Sequence, residues 1–278
     1  MAAISQQSIL DNPFLSPQQK EFPKSPLRYP GGKARAVNIV LKLLPRNISE
    51  LASPFLGGGS IEIAAATLGI NVFGYDVFKP LVDFWEELLE NPKTLAQEVE
   101  KHFPLSKEEF YSLQKRKPKN KLESATIFYV LNRCSFSGAT LSGGMSPGHP
   151  RFTENSINYL KSFRCPNLHV KRMDFQKSIL KHKNTFLYLD PPYLIESALY
   201  GKNGNTHKNF PHEILCEILH QRNGWILSYN DSPIIRKMYM GYQFYSPNWK
   251  YGMSEDKNSR ELLIFSNDIP DIPESIHA

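Results

Sequence analysis

Residues 50–76 read ELASPFLGGGSIEIAAATLGINVFGYD, and the fold follows from this stretch. Positions 50–55 and 71–75 are short β-rich runs, and 60–68 between them has a helical pattern. Gly57, Gly58 and Gly59 stand where the first strand has to turn into the helix. Glycine lets the backbone turn sharply and approach a ligand closely, beside the electropositive start of the helix. Asp76 follows the second strand, about 20 residues on, where a carboxylate commonly takes ribose hydroxyls. A glycine turn alone is also an ordinary strand-to-helix connection. Paired with Asp76, it points to a nucleoside-bearing cofactor.

Outward from this unit, further strands are predicted at 168–173, 185–189, 225–229 and 261–265. Helices are predicted at 33–44, 79–90, 123–133, 211–222 and 232–240. Strands separated by helices predict an α/β fold, a Rossmann-like, mostly parallel sheet covered on both faces. One interval breaks the rhythm. A βαβ unit takes about 30 residues, so two crossovers between Asp76 and Asp190 leave roughly 50 residues over. These fall at about 90–165 and are expected to form a smaller, largely helical inserted domain. It carries the basic residues Lys115, Arg116, Lys117, Lys119 and Lys121, followed by the Gly/Ser-rich SFSGATLSGGMSPGHPRF. Such a basic run is by default a solvated loop; beside a site it would contact phosphates. Positions 1–24 and 269–278 read as tails, leaving 25–89 and 166–268 as one discontinuous domain.

Three other clusters carry chemistry. Asp190-Pro191-Pro192-Tyr193 follows the apolar run 186–189 and places a carboxylate at a strand end, where open α/β sheets bind ligands. Two prolines fix the backbone and remove both N–H groups, so carbonyls are left as acceptors beside an aromatic plane. The plainer alternative is a rigid turn with a packed tyrosine. Arg28-Tyr29-Pro30-Gly31-Gly32-Lys33 leads into a helix and favours an anionic group, without the spacing of a P-loop; as an isolated motif it is a loop. Asp174-Phe175 ends another strand and can meet a base by hydrogen bond and ring, or be a solvated Asp with a core Phe.

Composition narrows the class. The chain has 278 residues, 41% hydrophobic and 22% charged, with a formal charge of +6. Those values fit a folded globular protein, and the charge is compatible with a polyanionic partner while also common in proteins that bind none. Three scattered cysteines give neither a disulfide framework nor a zinc site, and they suit a reducing compartment. No apolar run reaches a membrane span, and the N-terminal segment lacks the pattern of a secretory signal. A cytoplasmic protein without a membrane segment is expected. The histidines show no ligand spacing, and no GxSxG elbow surrounds a serine, so neither a metal site nor an acyl-transfer triad is expected.

Taken in order, RYPGGK, PFLGGGS, GYD, VLNRCSFSGAT, DF and DPPY make the sequence from about Leu27 to Ser266 resemble the Dam-type S-adenosylmethionine-dependent DNA adenine-N6 methyltransferases. The order is that of the alpha group of amino-methyltransferases. Tyr and Pro stand here where Trp and Ala are common in the KWAGGK slot. The resemblance implies a methyltransferase sheet with an inserted DNA-recognition domain, S-adenosylmethionine as cofactor without metal, and double-stranded DNA as partner. It implies a nucleoid-associated enzyme, either solitary or sharing its target with a restriction endonuclease. It further implies that Tyr29, Gly31, Gly32 and Lys33 line the cofactor, with Lys33 near its carboxylate. Phe55, Gly57, Gly59 and Ser60 would form the cofactor turn, and Asp76 would hold the ribose. Asp174 and Phe175 would meet the cofactor's adenine. Asp190, Pro191, Pro192 and Tyr193 would be catalytic, with Asp190 also beside the cofactor. Asn132, Arg133 and Ser137 match a DNA-recognition segment. Cytosine N4, an RNA adenine or a protein amide are the other amino groups such a scaffold methylates, and an inactive DNA-binding module is the non-enzymatic alternative.

Overall fold

The computed structural model describes residues 22–29, 33, 36–45, 47–138, 140, 143–146, 151–194, 210–246 and 261–269. Seven strands form one sheet: β1 (Glu50–Ser53), β2 (Asn71–Asp76), β3 (Leu168–Arg172), β4 (Phe186–Leu189), β5 (Trp225–Asn230), β6 (Gln243–Tyr245) and β7 (Glu261–Phe265). Their order is β3-β2-β1-β4-β5-β7-β6. The pairs β1/β2, β2/β3, β1/β4 and β4/β5 are parallel, whereas β7 runs antiparallel to β5 and β6. The chain therefore builds outward from β1 on one side, then returns to build on the other. That reversal lies between β1 and β4, and it opens a crevice at the carboxyl ends of the strands. The expected strands are all present to within two residues. The three-residue β6 was not expected, being too short for an alternating pattern to show.

The described residues hold ten α-helices: α1 (Val37–Leu43), α2 (Ser60–Thr67), α3 (Lys79–Glu90), α4 (Pro92–Glu100), α5 (Lys107–Lys115), α6 (Lys121–Cys134), α7 (Glu154–Ser162), α8 (Phe175–Lys181), α9 (His212–His220) and α10 (Pro233–Met238). Helix starts follow local capping chemistry. Ser106, Asn120 and Ser232 accept the backbone N–H of Glu109, Glu123 and Ile235, and Thr153 with Ser156 makes a capping box. The helix expected from position 33 begins only at Val37, so Lys33 lies ahead of α1 rather than in it.

Two apolar clusters sandwich the sheet. One joins Leu51 and Val72 of the sheet to Leu95, Phe110, Leu131 and Leu160 of α4, α5, α6 and α7. The other joins Leu187 and Leu227 to α8, α9 and α10. The surplus residues are thus helical, as expected, but α4–α7 share a core with the sheet and have no separate one among the described residues. At the centre of that shared core Phe84 of α3 stacks on Tyr129 of α6, with ring centroids 5.4 Å apart and planes 6° from parallel. Phe84→Ala should cost about 3–5 kcal/mol and move a single urea transition. A transition that splits, with only one part displaced, would show that α4–α7 fold as their own unit.

Candidate active site

Three strand ends meet at the crevice. After β1, Gly57 and Gly59 have φ of +47° and +66°, conformations that side-chain-bearing residues rarely adopt. Space is as tight as the backbone is strained. A Cβ on Gly57 would come within 2.9 Å of the Tyr29 ring, and one on Gly58 within 2.8 Å of Tyr29 Cβ. Trp85 Nε1 donates to the Gly57 carbonyl at 3.1 Å, and Ser25 Oγ donates to that of Gly58. The turn is clamped from both sides before Ser60 opens α2.

At the end of β2, Asp76 accepts the backbone N–H of Gly57 through Oδ2 (3.2 Å) and that of Phe78 through Oδ1 (2.9 Å). The carboxylate keeps lone-pair capacity for an incoming hydroxyl. Burial raises the pKa of Asp76, although three backbone hydrogen bonds work against it. Beside it lies a cleft of about 430 Å³ lined by Val77, Arg172, Met173, Asp174 and Lys177, a size within the roughly 300–1,000 Å³ of small-molecule sites. Asp174 borders this cleft while its Oδ1 caps α8 at the Gln176 N–H. Phe175 does not border it. It is 5% exposed and packs against Phe55 and Phe210, with centroids 5.6 and 5.2 Å away. Phe55 stacks on its ring and Phe210 is tilted against it.

At the end of β4, Asp190 Oδ1 lies 2.8 Å from Lys33 Nζ. Lys33 also lies 3.1 Å from Glu261 Oε1 and 4.9 Å from the centroid of the Tyr193 ring. Lys33 was expected beside a cofactor carboxylate; here its partners are protein carboxylates. Pro191 is buried behind Asp190, and Pro192 half-buried. Burial is the largest influence on Asp190. It outweighs Lys33, is reinforced by Glu261, and leaves the carboxyl raised to about 6. Glu62, in the first turn of α2 and bonded to Ser53 Oγ at 2.6 Å, is raised by burial to about 7. Glu261, Glu62 and Trp85 are not marked by any motif, and Ser228 drew attention only as a serine without a GxSxG elbow. A lone carboxylate heading the apolar run ELLIF was the sole sign of Glu261.

Gly31 and Gly32 lie outside the described residues. The residues expected at DNA divide. Asn132 is 1% exposed; its Oδ1 accepts the Arg28 N–H and its Nδ2 donates to the Arg28 carbonyl, at 2.9 and 2.8 Å. With both ends of its amide on Arg28, it positions the segment that carries Tyr29 rather than facing outward. Lys121 is held by Glu86, Glu87 and Glu90 of α3, which raise its pKa against the effect of burial, so it ties α6 to α3. Arg116 pairs with Glu123 at 3.7 Å, and Lys115, Lys117 and Lys119 are exposed. Ser137 lies in the 3₁₀ turn Phe136–Gly138. Arg133 donates to the carbonyls of Arg151 and Pro26. Arg28, Arg133 and Arg151 are close enough that burial and the other two guanidiniums lower the pKa of Arg28. Among the described residues there is no cluster of three or more potential metal ligands, and no helix is long and apolar enough to cross a membrane.

Comparison with known proteins gives a consistent family. The chain is 32% identical over 216 residues to the modification methylase StsI of Streptococcus sanguinis, covering 68% of this chain and 32% of that protein. It is 22% identical over 246 residues to the type II methyltransferase M1.LlaDCHI of Lactococcus lactis subsp. cremoris, covering 78% of this chain and 85% of the relative. It is also 22% identical over 273 residues to a DNA adenine methylase of Haemophilus influenzae, covering 88% and 92%. This chain spans only about a third of the length of the StsI methylase. Residues 29–253, which include the glycine turn, Asp76 and the Asp190–Tyr193 loop, match the family description as one block, and the chain therefore belongs to the D12 class N6 adenine-specific DNA methyltransferases.

Proposed function

We propose that this protein transfers the methyl group of S-adenosylmethionine to the exocyclic N6 of an adenine in duplex DNA. The observation that carries the reading is the meeting of the glycine turn, Asp76 and Asp190 at the reversal between β1 and β4. The residues fit the cofactor. The glycine turn lets Tyr29 pack against the backbone where a Cβ would clash, Asp76 keeps lone-pair capacity for the ribose, and Asp174 edges the adjoining cleft. When bound, S-adenosylmethionine supplies an electrophilic methyl on a sulfonium.

The protein has to make a poor nucleophile act. The N6 lone pair of adenine is delocalised into its ring. Asp190 Oδ and the Pro191 carbonyl would accept its two N–H groups and favour a pyramidal nitrogen, whose lone pair is then available to attack. N6 would accept the methyl and give up one proton to water, so that the positive charge arriving with the methyl leaves with the proton. A carboxylate fixed at that nitrogen stabilises the positive charge that develops on it, which is where most of the acceleration would arise. The base is inaccessible within a duplex, so it would be flipped out and stacked on Tyr193. Arg28, Arg133 and Arg151, together with exposed Lys115, Lys117 and Lys119, support a backbone contact with DNA. The names of the relatives support a role as the modification partner of a restriction endonuclease, and a DNA substrate would place the protein in the cytoplasm at the nucleoid.

Labelled S-adenosylmethionine and duplex DNA, followed by identification of the modified base, test the reading. N6-methyladenine is expected; label confined to cytosine N4, RNA or protein overturns it. Asp190→Ala should retain DNA binding and lower methyl transfer by about 10²-fold or more. Because Asp190 is raised to about 6, kcat/KM for the wild type should fall as pH drops through about 6, rather than near 4 as for an ordinary carboxylate. Gly57→Ala should weaken cofactor binding by calorimetry about tenfold, the scale of one lost close contact. Gly69→Ala, with φ of +91° and open space around it, should cost stability and leave cofactor affinity unchanged.

A further inference from the structure

Because β7 runs antiparallel to β5, its first residue reaches the edge of the sheet where the parallel strands end. Glu261 pairs in register with Asn230, the last residue of β5. The side chain of Glu261 is buried there, and its Oε1 takes several donors at once. Tyr193 OH and Ser228 Oγ each donate at 2.6 Å, and Lys33 Nζ lies at 3.1 Å. One carboxylate thus touches the aromatic residue of the Asp190–Tyr193 loop and the ammonium that pairs with Asp190. Asn230 Nδ2 holds the same loop at the Leu194 carbonyl, 2.9 Å away.

We propose that Glu261 is a positioning residue for methyl transfer, anchoring the Tyr193 ring through its hydroxyl and sharing the charge of Lys33 with Asp190. The inference rests on the reading of Asp190 and Tyr193 as catalytic. Its physical basis is charge. A lysine committed to Asp190 alone would blunt the carboxylate that has to face an N6 becoming positive, and would repel a sulfonium. A second carboxylate on the same ammonium offsets that positive charge and leaves Asp190 an effective acceptor. Tyrosine gains in turn, since a ring fixed at its far end keeps its stacking face in one orientation without cost in side-chain freedom at each turnover.

The groups facing Asp190 are Lys33 and Tyr29 from the N-terminal segment, Glu62 from α2, Tyr193 from its own loop and Glu261 from β7. Glu261 raises the pKa of Asp190 and Lys33 lowers it. Neutralising Glu261 therefore leaves Lys33 less opposed, and Asp190 becomes more acidic.

Glu261→Gln and Tyr193→Phe, in the full chain, are compared with wild type in single-turnover methylation of duplex DNA at saturating cofactor across pH. Circular dichroism and cofactor titration establish that each variant folds and binds. Glu261→Gln should slow transfer about tenfold or more, the scale of a hydrogen bond to a charged group, and shift the acid limb to lower pH. Tyr193→Phe keeps the ring but loses the anchor. It should slow transfer several-fold while the acid limb stays below neutrality and DNA affinity is retained. If Glu261→Gln does not fold, the Tyr193→Phe rate decides alone. A wild-type rate in either folded variant overturns the proposal, as does a slow Glu261→Gln whose acid limb has not moved. Absence of N6-methyladenine with the wild type would instead refute the underlying catalytic reading.

Discussion

Placing β4 on the opposite side of β1 from β2 is the constraint on which the rest of the molecule depends. Two neighbouring parallel strands whose onward connections leave in opposite directions cannot have their carboxyl ends covered by the same crossover. The gap between those connections is where Pro54–Gly59 turns and where Asp190 emerges. Everything else in the site is arranged around that gap. Asp76 stays within hydrogen-bond reach of the glycine turn because β2 is paired with β1 residue for residue. Glu261 reaches the same edge because one strand, β7, runs the other way.

The electrostatics of the gap are a contest of comparable quantities. Taking a carboxylate out of water costs several kcal/mol, and attraction to an ammonium at contact distance is of the order of 4 kcal/mol at an effective dielectric near 20. With terms of that size, small changes in who shares the ammonium decide whether a carboxyl is ionised near neutrality. Asp190 sits at that margin, raised by burial and by Glu261 and held back by Lys33. Glu62 lies further toward the neutral side because it is more deeply buried and has a hydroxyl as its nearest donor. The same backbone that opens the crevice thus places two carboxyls in it with different affinities for protons.

What the amino-acid order disclosed and what it did not follow from the range of the interactions. Strand, turn and helix at 50–76 are local, and the glycines, Asp76 and the Asp190–Tyr193 loop could be picked out because each sits at a strand end. The helical character of the surplus residues was likewise legible, but their sharing of one core with the sheet was not, since residues as far apart as Leu51 and Leu95 join one apolar cluster only in three dimensions. Asn132 and Lys121 carried the right residue types for DNA contact and are spent on internal partners, the Arg28 backbone and three glutamates of α3. Phe175 has Phe55 and Phe210 as ring neighbours, which only the folded chain brings to it. Burial and pairing decided each of these cases, and neither is a property of a residue and its chain neighbours. Glu261 was hidden for the converse reason, as a polar residue inside what reads as a purely apolar strand.

The span of the Lys33–Glu261 contact carries a consequence for synthesis. These two residues lie near opposite ends of the described chain, and the strand that brings Glu261 to the crevice is the last of the described strands. Contacts this distant in sequence form late, after closure of every loop between them. A nascent chain can already hold the glycine turn, Asp76 and the Asp190 loop while β7 is still inside the ribosome. In that state Tyr193 has no anchor on Glu261 and Lys33 no second carboxylate. The chain thus acquires its complete arrangement of charge only once β7 has emerged and paired with β5, and a chain stopped short of it carries the parts of the site without their final alignment.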